Sequence, residues 1–202
     1  MKLYYAAGAC SLAVHIALRE IGADFEATAV DLVKHTTADG ANYFDISPRG
    51  YVPLLELDDG SRHTEAAALL QYVADLDRSQ ALIGATGSAR RLAVTGWLTF
   101  VGSELHKAFS PWLWHKETAD STVKTVKDKL AIRFKELDAL LAKQDYLAGD
   151  YSVADAYAFT IINWANFLAL PLAAYPNLKA YLARVSARPR VQEALRAEGL
   201  VK

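Results

Sequence analysis

Apolar residues in this chain follow two different periods, and the change from one regime to the other comes near residue 80. Before it, short runs rich in β-branched and aromatic residues are interleaved with helical spacing. After it, apolar residues recur almost everywhere at steps of three and four. The first part therefore demands a sheet with helices packed on it, and the second a bundle of helices.

In the first part, Lys2–Ala6 reads as a short strand and Ala7–Ala9 as a turn around Gly8. A helical pattern runs from Ser11 to Ile21, with Val14, Leu18 and Ile21 on one face, and Gly22 stops it. Phe25–Val30 is a second strand, and the polar stretch Lys34–Ser47 reads as a short helix and loop. Val52–Leu57 and Ser61–Thr64 flank Asp58-Asp59-Gly60, a hairpin signature. Glu65–Leu76 follows as a helix with Leu69, Tyr72, Val73 and Leu76 on one side. The expected order is β-α-β-α-β-β-α, a small mixed α/β sheet whose parallel pair needs a right-handed crossover.

Asp77–Ser88 is a polar stretch with Gly84 and Gly87. Beyond it, Ala89–Phe109 reads as one helix ended by Pro111, and Ser121–Leu141 as another. Ser152-Val153-Ala154-Asp155 resembles a capping box with Asp in place of Glu. It opens a charge-free stretch, Ala156 to Leu178, long enough to span a bilayer. Asn163, Asn166, Pro171, Pro176 and Asn177 interrupt it, so it reads as a helix buried in a protein core. Pro176 and Pro189 mark the starts of two further helices. The division read from sequence is 1–80 as the α/β domain, 81–88 as linker and 89–202 as an all-helical domain.

With 22 basic and 23 acidic side chains the formal net charge is −1, which excludes a strongly basic nucleic-acid binder and an acidic disordered tail. The five histidines (His15, His35, His63, His106, His115) show no HExxH spacing and there is no CxxC, so no metal site is read. The N-terminus reaches His15 and Arg19 too soon for a signal core. The single cysteine, Cys10, allows no intramolecular disulfide and fits a reducing compartment.

Cys10 follows a strand and a glycine turn at the mouth of a helix, where first-turn N–H groups and the helix dipole favour an anion and lower the pKa of a thiol. Ser11, Tyr4 and Tyr5 supply hydroxyls nearby. The alternative is a small buried side chain filling a gap. A CxxC redox pair is excluded by Ala13, so a reactive Cys10 needs an external thiol to complete an exchange cycle, and glutathione is the abundant one in a reducing cell. A nucleophile with a histidine base fits a lone cysteine as well.

Lys2-Leu3-Tyr4-Tyr5 leading to Gly8-Ala9-Cys10-Ser11-Leu12 resembles the start of bacterial beta-class glutathione S-transferases. So do Ser47-Pro48-Arg49-Gly50-Tyr51-Val52-Pro53, Thr64-Glu65, Ser103-Glu104-Leu105-His106-Lys107 and Ser152-Val153-Ala154-Asp155-Ala156-Tyr157. The resemblance runs in order along essentially the whole chain. It implies a thioredoxin-like domain followed by an all-helical one, in a cytoplasmic homodimer. It implies conjugation of reduced glutathione, as co-substrate, to a hydrophobic electrophile, with no metal or other cofactor and no nucleic-acid or membrane partner. The runner-up enzyme is a glutathione-dependent thiol-disulfide reductase using Cys10, and the third reading is a non-catalytic binding protein.

The same resemblance implies that Pro53 is cis, and it places Cys10 and His106 in catalytic roles. Cys10, His35, Val52, Pro53, Glu65, Ala66, Thr99, Ser103, Glu104 and His106 are the implied glutathione contacts. Val52 would lie at an edge, where its main chain can pair with a peptide. Glu65 at a helix start suits an ammonium beside a carboxylate, the two charges a γ-glutamyl group presents, although alone it reads as an acid stabilising a helix dipole. Thr99, Ser103 and His106, at i, i+4 and i+7, share a helix face. The chain departs from the family pattern at Ala7 (often Pro), His35 (often Lys), Ala66 (Ser or Gly) and Thr99 (often Asn). A histidine at position 35 would bind a carboxylate more strongly at acid pH. Phe109, Trp112, Trp114 and Phe167 suggest a hydrophobic substrate or a core.

Overall fold

The computed structural model describes residues 1–202. They form two compact units: residues 1–80 together with 187–202, and residues 81–186.

The first unit is built on a five-stranded sheet in the order β3-β2-β1-β4-β5. Strand β1 (Lys2–Tyr5) lies parallel to β2 (Glu26–Asp31) and antiparallel to β4 (Leu54–Glu56). Leu3 sits opposite Ala27 on one side and Leu55 on the other. Two-residue strands β3 (Thr36–Thr37) and β5 (Arg62–His63) close the edges. The Asp-Gly hairpin forms as its turn chemistry requires, with Gly60 at φ +80°. Between β2 and β4 the chain holds β3 and a 3-10 turn, Tyr43–Asp45, in place of a regular α-helix. The reason is local: His35 and Gly40 take positive φ, and the Thr36-Thr37 pair has partners in Val30 and Asp31.

Helix α1 (Ser11–Glu20) is buried over most of its length, from Ser11 to Leu18. It touches α2 (Ala66–Leu76) and the last helix, α9 (Pro189–Ala197). Arg188 grips Glu20 at the end of α1 through two hydrogen bonds of 2.7 and 2.9 Å. The sequence places 187–202 with the helical part; in the structure Val191, Ala194 and Leu195 are buried and α9 packs on α1.

In the second unit the expected helix 89–109 is one rod in three segments: α3 (Ala89–Phe100), a π-helical stretch (Val101–His106) and α4 (Lys107–Phe109). Helix α5 (Asp120–Leu141) buries Leu130, Phe134, Leu137 and Leu141. All ten residues of α6 (Val153–Ile162) are buried. It is followed by α7 (Trp164–Phe167) and α8 (Pro176–Ser186). No helix is long and apolar enough to cross a membrane. Asp155 accepts the N–H groups of Ser152 and Leu147, each at 2.9 Å, and the hydroxyls of Ser152 (2.9 Å) and Tyr181 (3.1 Å). One carboxylate thus caps α6 and ties it to the preceding loop and to α8. Burial raises its pKa, and these hydrogen bonds pull the other way.

Candidate functional site

Cys10 occupies the N-cap position of α1, immediately after the turn that Gly8 makes at φ +71°. Its thiol donates to the carbonyl oxygen of Val52, 3.3 Å away. That bond needs the proton, so it belongs to the thiol form. The Val52-Pro53 peptide is cis, as the resemblance implied. Strand β4 has neighbours on both sides, so Val52 is not on an edge strand; it is buried just ahead of the paired residues. Beneath this corner Tyr4, Val30, Tyr43, Val52 and Leu54 pack into one cluster, with Ala9 against it, and the Tyr43 hydroxyl donates to the Tyr51 carbonyl at 2.9 Å.

The loop carrying Cys10 has a second anchor. The Gly8 N–H donates to Glu198 at 2.9 Å, and His15 Nδ1–H donates to the other oxygen of the same carboxylate at 2.9 Å. Arg19 donates to His15 Nε2 at 3.3 Å, which fixes the proton of the neutral ring on Nδ1. Glu198 follows α9 and its carboxylate is fully buried. Sequence reasoning missed it because its partners lie 183 and 190 residues away.

Glu65 stands at the N-terminus of α2 with φ 71°. A non-glycine residue there is strained by about 1 kcal/mol or more, a cost that clusters at functional positions. Its carboxylate is exposed and meets Arg49 at 3.3 Å. The Ala68 and Leu69 N–H groups both bond the Glu65 carbonyl, so the Ala66 and Ala67 amides precede the first intrahelical acceptor. His35 lies in the β2–β3 connection at φ 51°, its ring against Phe44 with centroids 4.3 Å apart. Its buried Nδ1 has no hydrogen-bond partner. Gly50, at φ +65°, passes so close that a Cβ there would come within 2.8 Å of that nitrogen. Glycine is required at position 50 for both reasons.

In the second unit, Thr99 and Ser103 are exposed, and their hydroxyls donate back to the Thr95 and Thr99 carbonyls at 2.9 Å. His106 does not share their face. The i→i+5 winding of the π-helical stretch turns more slowly than 3.6 residues per turn and rotates position 106 by roughly a third of a turn. His106 is carried inward, where Nδ1 lies 2.7 Å from the Tyr157 hydroxyl and the ring meets Trp164 edge-on at 5.1 Å. Burial, with the Lys107 charge beside it, lowers its pKa to about 4. The Glu104 carboxylate is held by Arg133 at 2.9 Å and Lys129 at 3.4 Å, so any role it has toward a ligand belongs to its main chain. Of the aromatic residues singled out, Phe109 is core, whereas Trp112, Trp114 and Phe167 are exposed. Trp114 stacks edge-on against Trp164 at 5.6 Å, extending the cluster around His106. Trp112, with Leu113, His115, Val123, Lys127, Leu168 and Leu170, lines a cavity of about 210 Å³.

A thioredoxin-like sheet with one thiol at a cis-proline corner, completed by the last helix and joined in sequence to a helical unit with a buried histidine, defines the architecture of a two-domain thiol-site protein. Residues 7–76 match the family model of the glutathione S-transferase N-terminal domain, and 100–189 that of its C-terminal domain. Over 201 residues the chain is 40% identical to glutathione S-transferase GstA of Escherichia coli O157:H7, covering 99% of this chain and 100% of that one. It superimposes on a sphingomonad glutathione S-transferase complexed with glutathione (TM-score 0.93, 43% identity, 100% of both chains). The beta-class enzyme of Sphingomonas chungbukensis is similar to the same degree (TM-score 0.94, 42% identity, 100% of both chains). The chain belongs to the glutathione S-transferase family.

Proposed function

We propose that this protein conjugates reduced glutathione to hydrophobic electrophiles, acting in the cytoplasm as a homodimer. The glutathione sulfur, as thiolate, forms a bond to an electrophilic carbon; the leaving group departs with its electron pair, and the thiol proton goes to solvent. The protein's part is to bind the peptide, favour the thiolate and orient the electrophile. The γ-glutamyl end has Glu65 for its ammonium and the Ala66 amide for its carboxylate. The cysteinyl main chain has Val52 beside Pro53, and the glycyl carboxylate has His35. Cys10 and His106 take the catalytic roles, with Thr99, Ser103 and the Glu104 main chain as further contacts. The cluster of Trp114 and Trp164 beside His106 suits an apolar, aromatic electrophile.

The observation that carries the reading is the 3.3 Å bond from Cys10 to the Val52 carbonyl, which puts a sulfur at the main-chain position an extended peptide would use. The same position of the sulfur, once the proton is lost, suits a second chemistry. The Cys10 thiolate attacks the glutathionyl sulfur of a mixed disulfide between glutathione and a second thiol, forming a Cys10–glutathione disulfide and releasing that second thiol as its thiolate; a glutathione thiolate then attacks the glutathionyl sulfur, regenerates the Cys10 thiolate and leaves as oxidised glutathione.

Calorimetric titration with reduced glutathione, alongside turnover of a chloronitroarene, tests the reading. Binding with turnover is expected. Binding without turnover would make the protein a glutathione-binding module, and no binding would overturn the assignment. Light scattering checks the dimer.

A further inference from the structure

The contact between His106 and Tyr157 is short for a nitrogen–oxygen pair, 2.7 Å, and is formed inside the helical unit between side chains that the winding of the chain forces together. Tyr157 lies in the buried α6 and is 3% exposed. Its ring meets the His106 ring at 87° with centroids 5.9 Å apart, and Trp164 meets it at 73°. Two aromatic walls hold the imidazole plane, and the hydroxyl occupies Nδ1. Nε2 is the ring nitrogen left for an incoming ligand.

A neutral imidazole carries one N–H, so the bond to Tyr157 decides which nitrogen has it. The phenol is the stronger donor of the two groups, and the bare imidazole nitrogen the stronger acceptor. The O–H···N arrangement therefore wins over N–H···O. The charged group facing the ring from its own helix is Lys107, and its effect is to disfavour a second proton on the imidazole. Tyr157 and Trp164 face it from the other elements and bring no charge.

We infer that Tyr157 is a positioning residue: its hydroxyl donates to Nδ1 of His106, locks the ring as the Nε2–H tautomer and leaves that N–H as the donor His106 offers to the sulfur of glutathione. The donor role rests on the conjugation reading above; the tautomer does not. Tyr157 then acts only through His106, so its value disappears when the imidazole does. A glutamine at position 106 supplies an amide N–H near the place of Nε2 with no second nitrogen to control.

Nitrogen-15 spectra of the histidine rings in the ligand-free protein read the tautomer directly, with the His106 signals identified by their loss in His106→Gln. The wild type should have a hydrogen-bonded, unprotonated Nδ1 and a protonated Nε2. Tyr157→Phe keeps the ring packing and should give a mixture of tautomers. With a chloronitroarene, Tyr157→Phe should lower kcat about five- to tenfold, the worth of one neutral hydrogen bond, with the glutathione KM unchanged. In the His106→Gln background the same change should have no effect on kcat. A protonated Nδ1 in the wild type overturns the proposal, as does a Tyr157→Phe protein whose kcat stays at the wild-type value. Equal losses in both backgrounds would mean that Tyr157 acts on the fold alone, which also overturns it. If the wild type neither binds nor conjugates glutathione, the functional reading fails and takes the donor role with it, while the ring spectrum still decides the tautomer.

Discussion

Asp155→Ala should cost more than the loss of an ordinary helix cap. The wild-type carboxylate accepts two backbone N–H groups, those of Leu147 and Ser152, and both residues are buried, at 2% and 0% exposure. Neither has water to turn to when the acceptor is deleted. Two orphaned buried donors cost about 1–3 kcal/mol each. The hydroxyls of Ser152 and Tyr181 lose the same acceptor, although Tyr181 keeps a 3.4 Å approach to the Asp155 carbonyl. Against this stands the desolvation of the carboxylate, the main cause of its raised pKa, which the alanine removes. The net loss is about 3 kcal/mol, well above the roughly 1 kcal/mol typical of a cap. For a chain of this size it should lower Tm by about 6–12 °C. Thermal and urea unfolding followed by circular dichroism measure it, and Asp155→Asn, which keeps one acceptor oxygen, should fall between. Glutathione affinity of the folded fraction should stay within about twofold of wild type. A Tm drop under about 3 °C would refute the reasoning, because it would mean that the two N–H groups find other partners.

Glu65→Gln should weaken glutathione about tenfold or more, and an analogue lacking the γ-glutamyl amine should bind the mutant no worse than glutathione does; a further loss would mean that Glu65 is not the amine's partner. Cys10→Ser should abolish glutathione-dependent disulfide reduction and the mixed disulfide that mass spectrometry would detect after treatment with oxidised glutathione, while conjugation falls by a smaller factor; no adduct on wild type and full activity in the mutant would make Cys10 a structural thiol. Because His106 titrates near pH 4 in the fold and near 6.5 when unfolded, the unfolded chain binds more protons between those values, so stability rises with pH across that window. The unfolding free energy from urea titration should therefore drop on acidification from pH 7 to 4.5 by at most roughly 3 kcal/mol more in wild type than in His106→Gln; equal drops would contradict the buried neutral ring. Glu198→Gln should speed hydrogen exchange of the Gly8 amide and lower the unfolding free energy by about 1.5–3 kcal/mol, as loss of a charged acceptor requires.

What was legible in the sequence is what neighbouring residues decide. The hairpin at Asp58-Asp59-Gly60, the stop at Gly22 and the three- and four-residue spacing of α5 are local instructions, and the structure obeys them. The Ser152–Asp155 cap was equally readable. Its second backbone client, Leu147, was not, because nothing in the sequence says which loop folds back over the helix end. Strand β3 has two residues and exists through its partners, Val30 and Asp31, so no run of β-forming residues announces it. Slower winding over 101–106 leaves no mark in composition, and it moved His106 off the face that regular spacing gives it with Thr99 and Ser103. Family resemblance indicated that Cys10, Val52, Pro53 and Glu65 matter. It was silent on Arg49 facing Glu65 and on Glu198 under Gly8, contacts that only folding brings about.

The helix that closes the first unit is made after the second unit. Translation delivers β1, Gly8 and Cys10 before residues 81–186 and Glu198 after them. Loop closure grows dearer with loop length, by about 0.6 kcal/mol per doubling, so an unfolded insert of that size opposes the docking of α9 on α1, while a folded one acts as a compact bridge. The turn that presents the thiol therefore acquires its buried carboxylate anchor only after residues 81–186 have left the ribosome. A chain broken off between residues 64 and 197 keeps every strand and the cysteine, yet lacks the group that holds the cysteine's loop. An ordered thiol corner is thus a record that synthesis has passed residue 198.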